Sequence, residues 1–253
     1  MEETNISQEQ NPLGAAPVGG LILKFAIPAI ISMLVSAMYN IVDQIFIGQG
    51  VGMLGNAATN VAFPVTTIAT ALALLLGIGG ASNYNLEMGA GREQRASSIA
   101  GTALSTLVIT GAVLALVVLL FLRPLLGLFG ATTDVMPYAV DYLGITAVGL
   151  PFYVLSIGGN HIVRADRSPT YSMTCVLTGA VINTILDPLF IFGFGWGIKG
   201  AAWATVIGQV VSGILVIIYF GKFRKMYLEI RMLKPSSECL KAIISLGMAS
   251  CIN

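Results

Sequence analysis

Long apolar blocks separated by short polar stretches dominate the chain from about residue 21 onward. A helix of roughly 20 mainly apolar residues is long enough to cross the hydrocarbon core of a bilayer. Six blocks reach that length. The pattern predicts membrane-spanning helices over residues 21–47, 57–83, 97–122, 139–163, 170–192 and 200–220. The sequence is therefore expected to encode an all-α integral membrane protein with six spans.

Polar segments flank these spans. Residues 1–20 carry Glu but no Lys or Arg, so they lack the positive region of a cleaved signal peptide and are predicted to form a cytoplasmic tail. Residues 221–240, the most polar stretch, are predicted to form a cytoplasmic linker. Residues 241–253 would form only about 20 Å of helix at 1.5 Å per residue, too short to span. We expect the start of a truncated seventh helix and the first half of a longer protein; a complete six-helix protein is the alternative.

Composition agrees with a membrane protein and excludes other classes. Hydrophobic residues make up 56% of the chain and charged residues 10%, whereas a soluble domain carries roughly 25% charged residues. The net charge of +1 and the absence of long basic runs argue against nucleic-acid binding. Three scattered cysteines do not form a disulfide or zinc pattern. No Ser/His/Asp set is present, and His161 has no convincing Ser partner for an intramembrane protease, so we expect no enzyme.

The distribution of positive charge predicts the orientation. Lys and Arg are retained on the cytoplasmic side of membrane proteins. With a cytoplasmic N-terminus, only Arg123 and Lys199 of the 13 basic residues fall on the outer face. We therefore expect a multi-pass protein of the cell membrane with its N-terminus inside.

Three polar residues in different spans are expected at one depth. Asp43 and Asp187 lie five to six residues before the outer ends of the first and fifth spans, and Thr205 lies about as far inside the sixth. At 1.5 Å per residue all three fall roughly 8 Å below the outer surface. Because ionisable residues inside a membrane are costly and mark functional sites, we expect their side chains to meet.

Neighbouring residues indicate the chemistry of this site. Asn183 lies one helical turn before Asp187, and Tyr39 and Asn40 lie one turn before Asp43, so each set shares a helix face. These are oxygen donors suited to a hard cation such as Na⁺ rather than a transition metal. Two adjacent carboxylates also repel each other, so one could carry a proton. The alternative is that each Asp caps a helix end or extends to the interface, and for Asp187, before Pro188, capping is a real competitor.

Four segments, in the same order along the chain, resemble the multidrug and toxin extrusion (MATE) family. They correspond to its first helix, its first cytoplasmic loop, the junction of its fourth and fifth helices, and its fifth-to-sixth helix signature. The segments are YNIVDQIFIGQG at 39–50, EMGAGREQRA at 87–96, residues 151–171 with RADRSPTY, and NTILDPLFIFGFGWGIKGAAWAT at 183–205. The resemblance covers about residues 11–221.

The resemblance implies a fold and a set of site residues. Family members have twelve helices in two six-helix lobes, so this chain would supply the N-terminal lobe, the linker and the start of helix 7, without the C-terminal lobe of helices 7–12. The positions that match the family's cation or proton site are Asp43, Asn183, Asp187 and Thr205. Tyr39 matches a pocket tyrosine, and Asn160 matches a fourth-helix asparagine, although depth places it nearer the inner side.

The resemblance also implies an activity. Family members export cationic amphipathic compounds in exchange for Na⁺ or H⁺, with no cofactor besides that ion, so we expect a drug/cation antiporter. One alternative is a flippase of lipid-linked precursors or polysaccharides from the same superfamily; such proteins have a more cationic cavity, whereas the intramembrane charges here are expected to be acidic. Others are a membrane scaffold or an inactive fragment.

Overall fold

The computed structural model describes residues 18–223, 226 and 229–251 of the chain. Within these residues the structure is helical and contains no strand. The long helices are α1 (Val18–Gly50), α2 (Met53–Gly89), α3 (Glu93–Leu120), α4 (Met136–Ala165), α5 (Pro169–Pro188), α6 (Ile198–Ile218) and α7 (Ser237–Cys251). Helices α1 to α6 each contain a segment long and apolar enough to cross a membrane. The prediction of an all-α membrane protein with six spans is confirmed.

Shorter elements connect and extend these helices. They are a short helix at Leu122–Leu128, π-helical turns at Leu189–Gly193 and Tyr219–Phe223, and a 3-10 helix at Ile230–Leu233. Several helices extend past the apolar blocks, because backbone hydrogen bonding continues where the side chains become polar. Thus α1 begins within the predicted tail, whose residues 1–17 lie outside the described residues, and α7 begins within the predicted linker. Residues 224–225, 227–228 and 252–253 also lie outside them.

Helix α4 lies at the centre of the lobe and packs against α2, α3 and α6. Glycines allow the closest crossings, because a backbone without side chains approaches a neighbouring helix most closely. Gly77 of α2 lies against the backbone of Gly158 in α4, and Gly179 of α5 lies against Gly208 of α6. Helix α1, by contrast, packs mainly along α5. One face of the lobe therefore contains a helix held mostly by a single neighbour.

Large apolar side chains cover the outer surface of the helices. Examples are Met33 of α1, Phe63 of α2 and Leu120 of α3, which are each at least 66% exposed. A soluble protein rarely exposes so much contiguous apolar surface. The same surface is stable in lipid, where helices satisfy their own backbone hydrogen bonds. The exposed surface therefore agrees with a membrane environment.

The segment after α6 packs onto the lobe. The backbone of Met232 lies directly against Gly101 of α3, leaving no space for a Cβ there. The backbone N–H of Ser236 donates to the hydroxyl of Thr102, at 3.4 Å. The part of the predicted linker that the structure describes is therefore held against α3.

Helix α7 continues this contact along α2. The amide nitrogen of Asn83 donates to the carbonyl oxygen of Ala242 at 2.9 Å, and Gly247 lies against the backbone of Leu75. An exposed ion pair joins the start of α7 to the first turn of α3: the guanidinium of Arg95 contacts Glu238 at 2.9 Å. Nearby, the guanidinium of Arg92 donates a hydrogen bond to the carboxylate of Glu87, and this contact raises the pKa of Arg92.

Replacement of Gly101 should release the segment that follows α6. In Gly101→Val the new side chain would collide with the backbone of Met232, so we expect several-fold faster tryptic cleavage after Arg231, which is exposed. Limited proteolysis of the purified protein, followed by mass spectrometry, measures this. Gly127→Val is the control, because nothing lies within 4 Å of a Cβ at Gly127. Equal cleavage rates in the two variants would contradict the packing described above.

Candidate cation site

Two buried carboxyl groups from different helices meet near one end of the lobe. Asp43 of α1 is 7% exposed and Asp187 of α5 is fully buried. Their carboxyl groups lie within hydrogen-bonding distance of each other. Two ionised carboxylates offer only acceptors, so such a contact requires a proton or a cation between them. The pair can therefore bind one of these positive species.

The local structure of α5 places Asp187 in the interior. Asp187 is followed by Pro188 and by the π-helical turn Leu189–Gly193, which continues the helix beyond the proline. The backbone N–H of Phe194 closes this turn by donating to Leu189 at 2.9 Å. Because the side chain of Asp187 is buried against Asp43, it does not extend to the surface, as the interface alternative required.

Asn183 connects Asp187 to α6. The amide oxygen of Asn183 accepts a hydrogen bond from the backbone N–H of Thr205 at 3.3 Å. Its amide nitrogen donates to Asp187, also at 3.3 Å. The hydroxyl groups of Thr205 and Tyr142 lie next to each other. Thus α1, α4, α5 and α6 all contribute to the surroundings of the carboxyl pair.

A second set of polar contacts holds Asp43 from the side of α2. The amide nitrogen of Gln44 donates to Asp43 at 3.3 Å, and the hydroxyl of Thr59 donates to the amide oxygen of Gln44 at 3.0 Å. The Oδ1 atom of Asp43 is buried and has no hydrogen-bond donor among the described residues. One carboxylate oxygen is therefore left for the proton or cation.

Sequence reasoning did not identify Tyr142, Gln44 or Thr59. Gln44 directly follows Asp43, and Thr59 and Tyr142 lie near the predicted outer ends of the second and fourth spans, so their depth could have indicated them. The predicted site was built mainly from ionisable residues and their helix-face neighbours. Hydroxyl and amide residues are common in membrane helices, so depth alone would not have distinguished these three from others.

Two cavities lie beside the carboxyl pair. The first, of about 420 Å³, is lined by Asn183 at one end and by Asn160, His161 and Arg164 towards the other. The second, of about 450 Å³, is lined by Asp43 and by residues of α2, α4 and α6. The residues that line both cavities are Tyr39, Asn40, Tyr153, Thr205 and Gln209. The carboxyl pair is therefore close to space that a small molecule can occupy.

The structure brings most of the predicted site residues together. Asp43, Asn183 and Asp187 are in contact, and Thr205 adjoins Asn183 through its backbone. Tyr39 and Asn40 line both cavities. Asn160 lies apart from the carboxyl pair, in the first cavity.

The cavities are not exclusively acidic in character. Arg164, predicted only as a basic residue of the inner face, lines the first cavity together with His161. Both side chains are half-buried. Asn160 between them and the carboxyl pair is 2% exposed, and its Oδ1 has no donor among the described residues. The expected acidic intramembrane charge therefore lies at one end of this cavity and not at the other.

The fold and the site together define a polytopic helical membrane protein with buried ionisable groups beside internal cavities, an arrangement typical of secondary transporters. The MatE family model matches residues 28–189. The chain therefore belongs to the MATE family of transporters, and the resemblance of its four segments is confirmed.

Relatives and solved structures agree with this assignment. The chain is 35% identical over 222 residues to the FAD transporter of Shewanella oneidensis, covering 83% of this chain and 48% of that protein. It is 29% identical over 234 residues to the multidrug export protein MepA of Staphylococcus aureus, covering 92% and 52%. The crystal structure of MATE in complex with MaD3S superposes with a TM-score of 0.85 at 30% identity, covering 91% of this chain and 52% of the other. The chain thus spans about half the length of the curated relatives it matches.

Proposed function

We propose that this chain forms the N-terminal lobe of a multidrug antiporter, which exports cationic amphipathic compounds in exchange for Na⁺ or H⁺. The observation that carries the proposal is the contact between the buried carboxyl groups of Asp43 and Asp187 beside both cavities. The proposal places the protein in the cell membrane, with its N-terminus in the cytoplasm and a second lobe completing the transport pathway.

The chemistry of the site supports both candidate ions. Carboxylate, amide and hydroxyl oxygens from Asp43, Asp187, Asn183 and Thr205 are hard donors that suit Na⁺. A single proton shared between the two carboxyl groups satisfies the same contact. Either species moves inward down the membrane potential, which supplies roughly 2.3 kcal/mol per charge per 100 mV.

Coupling requires that the ion and the exported compound favour different conformations. Helix α1 is suited to such a change, because it packs mainly against α5 and contributes Asp43 to the site. It also contributes Tyr39 and Asn40 to both cavities. In the proposed mechanism, ion binding at Asp43 stabilises one packing of α1, and this packing reduces the space available to the compound.

The names of the relatives leave the substrate open. MepA is named a multidrug export protein, and the Shewanella protein is named an FAD transporter. The acidic residues at one end of the cavities favour cationic compounds. A flippase of lipid-linked precursors or polysaccharides remains the nearest alternative within the superfamily, and an inactive membrane fragment is the alternative outside transport.

Ion-driven transport tests the proposal. Full-length protein in liposomes should move ethidium against its concentration gradient when an opposing Na⁺ or proton gradient is imposed. Collapse of that gradient by an ionophore should stop the transport. Ethidium movement that is the same with and without both gradients would contradict antiport.

Hydrogen exchange of the backbone amides of α1 distinguishes a working lobe from an inactive fragment. An ion that binds at Asp43 should slow exchange along α1, compared with the same concentration of choline, even without a transported compound. Unchanged exchange in Na⁺ and across the pH range would contradict a working ion site.

A further inference from the structure

Arg164 is a half-buried cation in the last turn of α4, at one end of the first cavity. Its Nε donates to the backbone oxygen of Asn160 at 3.2 Å. No carboxylate among the described residues forms an ion pair with it, whereas Arg92 and Arg95 are both paired with glutamates. Withdrawing an unpaired charge from water is unfavourable. An anion in the cavity beside Arg164 would pair with this charge and offset the cost.

The cavity has chemically different ends. Asn183, Thr205 and Tyr39 line it next to the carboxyl pair, and Arg164 and His161 line the far part. Tyr153, which lines both cavities, and Arg164 are separated along α4 by about 16 Å at 1.5 Å per residue. Apolar side chains from three helices line the space as well: Met33, Ile157 and Val176. An elongated molecule with an apolar body and an anionic end matches this pattern.

We propose that Arg164, assisted by His161, forms a subsite for the carboxylate or phosphate group of an amphipathic molecule in this cavity. The hydrogen bond to Asn160 uses Nε, so the terminal guanidinium nitrogens can donate to two oxygens of one anionic group. A ring N–H of His161 is a further donor in the same cavity. The inference rests on the proposed function, since the molecule is the exporter's substrate, and it widens the substrate class from cations to zwitterions and organic anions.

Two dyes that differ in one anionic group test this subsite. Rhodamine B carries a free carboxylate, and its ethyl ester has the same aromatic body without it. Fluorescence anisotropy with purified full-length protein in detergent should show tighter binding of rhodamine B. In Arg164→Gln the affinity for rhodamine B should fall about tenfold while that for the ester stays nearly constant. Arg123→Gln, which removes an exposed arginine outside the cavity, is the matched control and should keep the preference.

A lipid competitor identifies the source of the anionic group. Dihexanoyl-phosphatidylglycerol should displace rhodamine B from the unmodified protein but not from Arg164→Gln if the subsite accepts lipid phosphates. If the lipid leaves rhodamine B bound while the preference for the free carboxylate persists, the subsite accepts soluble anions only. Both results support an anion subsite at Arg164. Equal affinities of the unmodified protein for the two dyes, or equal losses for both dyes in Arg164→Gln, would overturn it.

Failure of this inference can be separated from failure of the proposed function, because dye binding needs no ion gradient. If ethidium transport is driven by an ion gradient but rhodamine B and its ester bind with equal affinity, the anion subsite is overturned and the proposed antiport stands. A preference for rhodamine B that depends on Arg164, in a protein without ion-driven transport, would overturn the antiport mechanism alone.

Discussion

Asp43→Asn and Asp187→Asn should each reduce ion-coupled export to the background level while the protein remains folded and in the membrane. The amide has nearly the shape of the carboxyl group and can keep hydrogen bonds such as that from Gln44 to Asp43. It cannot carry a negative charge or exchange a proton near neutral pH. Because the carboxyl groups are in contact, loss of either one removes the pair that binds the ion.

Cells expressing each variant provide the measurement through ethidium efflux, with the amount of protein determined from isolated membranes. Asp141→Asn is the matched control: the side chain of Asp141 is 42% exposed, pairs with Lys199 at 3.4 Å and lines neither cavity. It should export normally. If Asp43→Asn and Asp187→Asn both still confer drug resistance, the assigned cation site is wrong.

Gly77→Val should cause a large loss of stability, because Gly77 lies at the crossing of α2 with the central helix α4. A Cβ at this position would lie 2.6 Å from the carbonyl oxygen of Gly158. The obstacle is backbone on both sides, so no side chain can rotate away, and α2 and α4 must separate. Overpacking a close-packed interior typically costs about 1–3 kcal/mol, and a backbone collision lies at the upper end or above it. Because α4 is the central helix, the whole lobe is affected.

Size-exclusion chromatography of the protein in detergent, before and after heating, measures the folded fraction. Gly77→Val should elute largely as aggregate and lose its monodisperse peak at a clearly lower temperature than the unmodified protein. Gly127→Val again provides the control, since a Cβ at Gly127 meets nothing within 4 Å. Similar thermal curves for the two variants would show that the close contact between α2 and α4 contributes little to stability.

The carboxyl site shows which features of a site the linear sequence predicts and which it does not. Helical rise is nearly constant, so counting residues from the ends of the spans placed Asp43, Asp187 and Thr205 at a common depth. Depth does not specify which helices are neighbours, nor which way a side chain faces around its helix. The contact between Asp43 and Asp187 depends on α1 packing along α5, which no local pattern in either helix expresses.

Arg164 is a second residue whose surroundings the linear sequence did not predict. By position it belongs to the basic residues at one end of the spans, and its charge contributed only to the predicted orientation. Its place in the first cavity results from the way α1, α5 and α6 surround the end of α4. The polarity of the cavity therefore could not be obtained from a count of acidic and basic residues along the spans.

Hydropathy along the chain was sufficient to establish the class of protein and the number of spans, because the membrane imposes one length and one composition on every spanning helix. The four motifs were sufficient to indicate the family. The partners of each polar residue required the folded chain: Gln44 and Thr59 beside Asp43, Tyr142 beside Thr205, and the segment after α6 against Gly101. The physical reason is that these contacts join helices far apart in sequence, and their formation depends on the rotation and close approach of whole helices.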